Sequence, residues 1–444
     1  MAELTYSKVN RDILRTIAPP GGKYYAALLF VLAVLAWGSY AWMVQIYTGL
    51  GVAGYNRGIQ WAVYITNFVF WVGIAHSGTL ISAILFLFRA RWRTSISRIA
   101  EAMTVFAVMT AGLFPLIHIG RPWLFYWLIP YPNQRGLWVN FRSPLIWDVF
   151  AVGTYFTVSA IFLYVGLIPD LAAARDHAHG WRRTLYQFLS LGWQGTHRQW
   201  FHFGSLYLFL AALATPLVIS VHSVVSWDFA MTLVPGWHST IFPPYFVAGA
   251  IFSGLAMVLT LGIPLRKFLH LEEYITNKHF ENVAKLIIVT SLIVSYSYVC
   301  EFFIAWYSGN IFEKHAFWYR AFGHYGPLFW VMLSCNSIIP MALFFQKIRA
   351  NMKVLFVVSL LANVGMWLER FIIITGSLSQ SYQPWYWAGS VYKPTWVEVS
   401  ITAGSFAWFL LWYLLFVKLF PSVPMTEIKE SLPPPGERAL GGAR

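Results

Sequence analysis

Ten apolar stretches, each about 20 residues or longer, constrain this chain before any other feature does. A helix rises about 1.5 Å per residue, so roughly 20 apolar residues cross a hydrocarbon layer of about 30 Å. Within lipid every backbone polar group needs a partner inside the protein, which leaves only helices and closed barrels. Barrel strands would show segments of about ten residues alternating in polarity, and these stretches do not alternate. The expected fold is therefore an all-α polytopic membrane protein. Its spans lie near Tyr24–Leu50, Gln60–Phe88, Ile99–Ile119, Pro144–Ile168, Phe203–Val225, Pro244–Leu265, Ala284–Trp306, Pro327–Phe345, Val354–Thr375 and Thr395–Leu419.

Charge says which way the spans run. Only 11% of residues are charged, against roughly 25% in soluble proteins. Counted on alternate sides of the spans, 22 of the Lys and Arg residues fall on one side and 7 on the other. The richer side is read as cytoplasmic, and it holds both termini. The net charge of +14 is thus a topogenic signal and not a nucleic-acid surface. About 20 polar and basic residues precede the first span, too many and too far for a cleaved signal peptide, so that span is expected to stay as an anchor. Outside the membrane, Pro169–His202 is the longest connection. The tail after Pro421 is Pro-, Gly- and Ser-rich and reads as an extended or disordered end, and no appended soluble domain is expected. Cys300 and Cys335 lie inside spans without a CxxC or CxxCH pattern, so the residues encode no disulfide framework, covalent haem or iron–sulfur site.

An internal repeat sets the domain plan. Pro144-Leu145-Ile146-Trp147 returns as Pro327-Leu328-Phe329-Trp330, an offset that also carries Trp123 to Trp306 and His118 to Glu301; Ser77-Gly78 resembles Ser253-Gly254. A shift of four helices preserves direction, so the repeat is parallel. The plan is a cytoplasmic segment 1–23, a flanking helix 24–50 and a first four-helix bundle 60–225. A second bundle 244–375, a flanking helix 395–419 and a cytoplasmic tail 420–444 follow. Where the first bundle has Asp148 the second has Val331.

Ionisable groups inside spans are costly and are suspects for function. His118 closes the third span and Asp148 opens the fourth, both at the outer end. Asp228 follows the fifth span, with His222 deeper. Glu301, Glu369 and Arg370 lie in the outer parts of their spans, Glu398 just inside the tenth, and His76 near mid-membrane. The inner half reads as close to purely apolar. Blander roles compete. His118 and Asp148 suit helix-end dipole partners, and His76 suits a hydrogen-bonded core histidine. Glu398 suits boundary decoration. Glu369 and Arg370 are adjacent and so point in different directions, each needing its own ion-pair partner. Membrane haem would need facing histidines at matched depth, and these depths look uneven.

His118 and Asp148 together suit a quinol headgroup. Oxidising a quinol requires bases for two protons; imidazole has a fitting pKa, and a neighbouring carboxylate orients it. With no redox centre encoded, the electrons would leave to a partner docked outside. A transporter would place its charges nearer the midplane, and a purely structural anchor would need no His/Asp pair.

Several stretches carry a family resemblance: YSKVNRDIL, AHSGTLISAILFLFR, LFPLIHIGRPW, SPLIWD, HSVVSWDF with GWHSTIFPPYF, WLERF and YKPTWVEVSITAG. From about residue 5 to 420 the chain resembles the NrfD/PsrC family of quinone-interacting membrane subunits, most closely the ten-helix branch that serves bacterial alternative complex III. That resemblance implies two four-helix bundles and a menaquinol site at the periplasmic side of the first, with no haem or iron–sulfur cluster in this chain. It implies partners: a periplasmic iron–sulfur subunit, c-type haem subunits and a second NrfD-like subunit in a bacterial inner membrane. The family's quinol-site His and Asp fall on His118 and Asp148; Arg121, Asp228 and Arg370 lie in matching segments, with His76 as a further quinol-site candidate. His222, Glu301 and Glu369 are candidates for a proton path. Membrane subunits of polysulfide or molybdopterin reductases share the resemblance.

Overall fold

A computed structural model describes residues 4–130 and 142–432. Arg135, Arg438, Arg444 and the middle of the connection between His118 and Asp148 lie outside the described residues. Among the described residues, ten helices are long and apolar enough to cross a membrane. They are α1 (Gly22–Thr48), α2 (Val63–Leu87), α3 (Arg91–His118), α4 (Pro144–His177), α5 (His197–Ala230), α6 (Phe242–Phe268), α7 (Asn277–Tyr307), α8 (Gly326–Phe344), α9 (Met352–Ser379) and α10 (Trp396–Leu419). Their starts carry ordinary signals. Proline stands in the first turn of α4, α6 and α8, where its missing N–H costs nothing. Capping boxes open α5 at Thr196/Gln199 and α10 at Thr395/Glu398.

The helices close into two rings. In the first, α2 packs on α3, α3 on α4, α4 on α5 and α5 back on α2; α6–α9 repeat the arrangement, and α1 pairs with α10 on the outside. The rings meet where α2 crosses α6, and small residues on both helices are the reason, with Gly254 against Ser77 and Gly73 against Ser253. A Cβ on Gly254 would fall 2.5 Å from the Ile74 carbonyl oxygen and onto the Ser77 hydroxyl. Small residues let helix backbones approach without a solvent-driven hydrophobic force. A π turn interrupts α2 (Leu80–Ile84), α8 (Ser334–Ile338) and α9 (Ile372–Gly376).

Two expectations about the connections are corrected. Within Pro169–His202, α4 runs on to His177, a helix spans Trp181–Leu189 and α5 starts at His197. The tail is not simply extended: Met425–Glu430 is helical and buries Met425 and Ile428 beside the N-terminal helix Tyr6–Thr16. The cause is the same in both places. Apolar length marks only the hydrocarbon-crossing part, whereas helices continue into polar surroundings where their side chains find partners.

Candidate functional site

His118, Asp148 and Asp228 stand at one end of the first ring, called here the His118 face. His118 is the last residue of α3, and its backbone is clamped from two sides. Gln45 of α1 donates to the Ile117 carbonyl at 2.8 Å, and the Tyr64 hydroxyl of α2 in turn donates to Gln45. The chain then turns at Gly120, whose φ of +79° and closeness to the Leu50 side chain both exclude a Cβ.

The imidazole is held from the α1–α2 loop. Nδ1 of His118 lies 3.1 Å from the Tyr55 hydroxyl, and the Tyr55 and Trp61 rings meet it edge to face at 6.0 and 6.4 Å. This leaves Nε2 as the free nitrogen among the described residues. Burial first, and the Glu398 carboxylate second, push the Tyr55 phenol well above its ordinary value, so it remains a neutral hydroxyl. Glu398 is not boundary decoration. Fully buried, it accepts from Thr395 N at 3.0 Å, Gly54 N at 2.9 Å and the Tyr392 hydroxyl at 2.5 Å. It thereby ties the loop to α10. Asn56 closes the same loop by accepting from Gly58 N and Ile59 N, and Tyr55 is fixed between these two anchors.

Asp148 has a different neighbour from the one expected. No hydrogen bond joins it to His118 among the described residues. Its buried carboxyl faces that of Asp228 on α5, and the Trp147 and Trp227 rings pack edge to face beside them. Trp61 links the two halves of the site, touching His118 on one side and Phe229 and Trp237 on the other. Arg121 is exposed at the same face.

His76 and His222 are closer than their uneven sequence depths suggest. Their rings meet at 4.6 Å, both fully buried. Nδ1 of His76 lies 2.6 Å from the Val72 carbonyl and its ring stacks on Tyr155, while His222 makes no hydrogen bond among the described residues. Tyr155 continues the polar line by bonding Thr79 at 2.8 Å and the Ala75 carbonyl at 2.9 Å, and Thr104 reaches that same carbonyl at 2.8 Å.

The purely apolar inner half is the clearest correction. At the end opposite His118, Arg98 pairs with Asp170 at 3.0 Å and Glu101 at 3.4 Å, all buried. Tyr207 donates to Glu101 at 3.1 Å, and Arg93 holds Glu427 of the tail helix at 2.9 Å. Thr426 donates to Asp170 through both its backbone N–H and its hydroxyl. A cavity of about 810 Å³, lined by Arg91, Arg93, Arg98, Tyr207 and Glu427, opens onto this cluster. Glu101 and Asp170 each fall within two residues of a predicted span end, where a charge looks ordinary in the sequence.

In the second ring Glu369 and Arg370 are not separately partnered. Arg370 folds back to donate to Glu369 at 2.6 Å and lies over the Phe246 ring at 4.3 Å. The Tyr298 hydroxyl and Asn336, set on the π turn of α8, complete the Glu369 carboxylate. Glu301 is buried, with Oε1 lacking a hydrogen-bond partner among the described residues, beside a cavity of about 240 Å³ on the His118 face. Among the described residues no three His, Cys, Asp or Glu side chains gather as a metal site.

Comparison with known proteins places this arrangement. Residues 51–381 match the family model described as polysulphide reductase, NrfD. An integral membrane subunit of Archaeoglobus fulgidus, named as belonging to an Hdr-like menaquinol oxidoreductase, is 23% identical over 92% of this chain and 96% of its own. A Halobacterium salinarum protein, named as a membrane subunit of a dimethyl sulfoxide reductase, is 26% identical over 86% of this chain and 87% of its own. The Escherichia coli subunit named as the b-type cytochrome of Ni/Fe-hydrogenase 2 is 23% identical over 85% of this chain and 87% of its own. All three names describe subunits of oxidoreductase complexes. With ten candidate spans and a family match over most of its length, this chain is a multi-pass membrane protein and belongs to the polysulphide reductase NrfD family.

Proposed function

We propose that this chain is the quinol-oxidising membrane subunit of an electron-transfer complex of the alternative complex III kind, with menaquinol bound at the His118 face. The observation that carries this is the Tyr55–His118 contact. It occupies Nδ1 and leaves Nε2 of a helix-end imidazole for a substrate, beside a buried carboxyl pair. Oxidation of one quinol releases two electrons and two protons. His118 accepts one proton at Nε2, with its Nδ1–H held by the neutral Tyr55 oxygen. The Asp148–Asp228 pair accepts the other: two facing carboxyls hold one proton between them at rest, and the remaining carboxylate takes the proton from quinol. Trp61, Phe229 and Trp237 form an aromatic wall for the ring.

The electrons leave at the same face, where Trp123 and Phe125 are exposed, to an iron–sulfur partner; c-type haem subunits and a second NrfD-like chain complete the assembly. The charge asymmetry supports a periplasmic His118 face and cytoplasmic termini. The polar line Glu101, Thr104, Tyr155, His76 and His222 supports a proton route through the first ring toward the opposite-face cavity, and Glu301 and Glu369 offer a branch in the second. The relative named as a dimethyl sulfoxide reductase subunit supports a second reading, in which the same site feeds electrons to a molybdopterin-type reductase. The test is to purify the complex from its native membrane, identify the subunits that accompany this chain, and assay oxidation of a menaquinol analogue with and without His118→Ala. Co-purified iron–sulfur and c-type haem subunits with His118-dependent turnover support the first reading. A molybdopterin subunit in their place supports the second, and turnover indifferent to His118 rejects both.

A further inference from the structure

We infer that the cleft between α8, α9 and α10 holds one anionic phospholipid from the leaflet on the His118 face. The cleft encloses about 630 Å³ and is walled by Leu328, Trp367, Leu368, Phe371, Val399 and Phe406. A volume of that order takes a small-molecule-sized ligand. All six positions lie in the His118-face half of their helices, at the depth of that leaflet's acyl chains.

The polar groups inside the cleft, below its rim, are already committed to one another. Trp367 Nε1 donates to Asn67 at 2.7 Å, and Asn67 donates to the Thr402 hydroxyl at 2.8 Å. That hydroxyl donates to the Glu398 carbonyl at 2.8 Å. The Tyr392 hydroxyl is bonded to the Glu398 carboxylate, and the Tyr325 hydroxyl accepts from Tyr392 N at 2.9 Å. A quinone headgroup needs a partner for each of its two oxygens and would find these groups taken. An acyl chain needs none.

The rim supplies the charge. Lys393 and His324 are exposed at the mouth, and Lys393 has no acidic partner among the described residues. It is also one of only 7 basic residues on the face poor in them, so the positive-inside preference does not account for it. An exposed ammonium above an apolar slot complements a phosphate above an acyl chain.

Native mass spectrometry on the full chain, delipidated in detergent and titrated with phosphatidylglycerol, phosphatidylcholine or a short-chain menaquinone, tests the assignment. Wild type should retain one phosphatidylglycerol in preference to phosphatidylcholine by about fivefold, the worth of one cation near an anionic headgroup. Lys393→Gln should abolish that preference, and Ala403→Trp, which fills the slot from a lipid-exposed position, should lose both lipids. Should Ala403→Trp fail to accumulate, the exposed Lys393→Gln still decides. Equal retention by wild type and Lys393→Gln would overturn the proposal. So would displacement of the lipid by menaquinone, which would make the cleft a quinone site, or a wild type that retains no lipid.

Discussion

The Tyr55 hydroxyl lies 3.1 Å from Nδ1 of His118, and the loop that carries Tyr55 is fixed by Glu398, a residue 343 positions later. The imidazole at the end of α3 is therefore oriented from α1, α2 and α10 at once, and not by the carboxylate that follows it in sequence.

Tyr55→Phe should lower quinol oxidation by about tenfold without loss of protein. One hydrogen bond that orients a base is worth roughly 1 to 1.5 kcal/mol, which corresponds to about a factor of ten in rate. An ordinary tyrosine loses its proton near pH 10, and burial raises Tyr55 further. The phenol is therefore neutral below and throughout the working range, and the rate ratio should be the same at about pH 6 and about pH 9. Stopped-flow oxidation of a menaquinol analogue at both values checks this; a ratio that changes between the two pH values would show that the phenol ionises.

Asp148 and Asp228 should behave as one unit. Asp148→Asn should slow turnover by about 100-fold, the low end for losing a proton acceptor. Adding Asp228→Asn should then cost little more, because groups sharing a proton are not additive. Measuring both single variants and the double variant closes the cycle, and strictly multiplicative losses would separate the two carboxyls.

Arg98 should matter for folding. Its guanidinium is the buried counter-charge for Asp170 and Glu101. Removing one partner of such a group costs about 3 to 5 kcal/mol, since the others stay buried and unpaired. Arg98→Leu should therefore fail to accumulate in membranes, and Arg98→Leu with Asp170→Asn and Glu101→Gln should recover much of the loss. Immunoblots of membrane fractions and thermal unfolding in detergent report it; normal abundance of Arg98→Leu would contradict the burial argument.

Glu101→Gln should separate proton movement from electron movement. The side chain sits more than half the bundle away from His118 but beside the opposite-face cavity and Tyr207. In sealed vesicles this variant should oxidise quinol at near the wild-type rate while proton uptake from the opposite side falls at least tenfold, on the order of one lost relay group. Unchanged uptake would exclude Glu101 from the route.

The sequence was most readable where lipid imposes the rule. Long apolar runs could only be helices, so ten spans, their alternating direction and the His118–Asp148 end of the first bundle followed from composition and order alone. What stayed hidden depends on tertiary partners. Tyr55 looks like one more interfacial aromatic until Glu398 and Asn56 are seen to fix its loop. Glu101 and Asp170 look like boundary charges until Arg98 and the tail helix close over them. Glu369 and Arg370 look divergent on a helical wheel, yet the arginine is long enough to turn back. One feature offered a signal that was there to use: the Asn56-Arg57-Gly58 turn beside Tyr55 is typical of a tightly closed loop, and such a loop presents its neighbours rigidly.

The most direct test of the central claim is the menaquinol oxidation rate of the assembled complex carrying His118→Ala, compared with wild type at equal amounts of complex. Quinol oxidation at the Tyr55-held imidazole predicts a fall of at least about 100-fold with every partner protein still bound. Wild-type turnover in that assembled variant would contradict it.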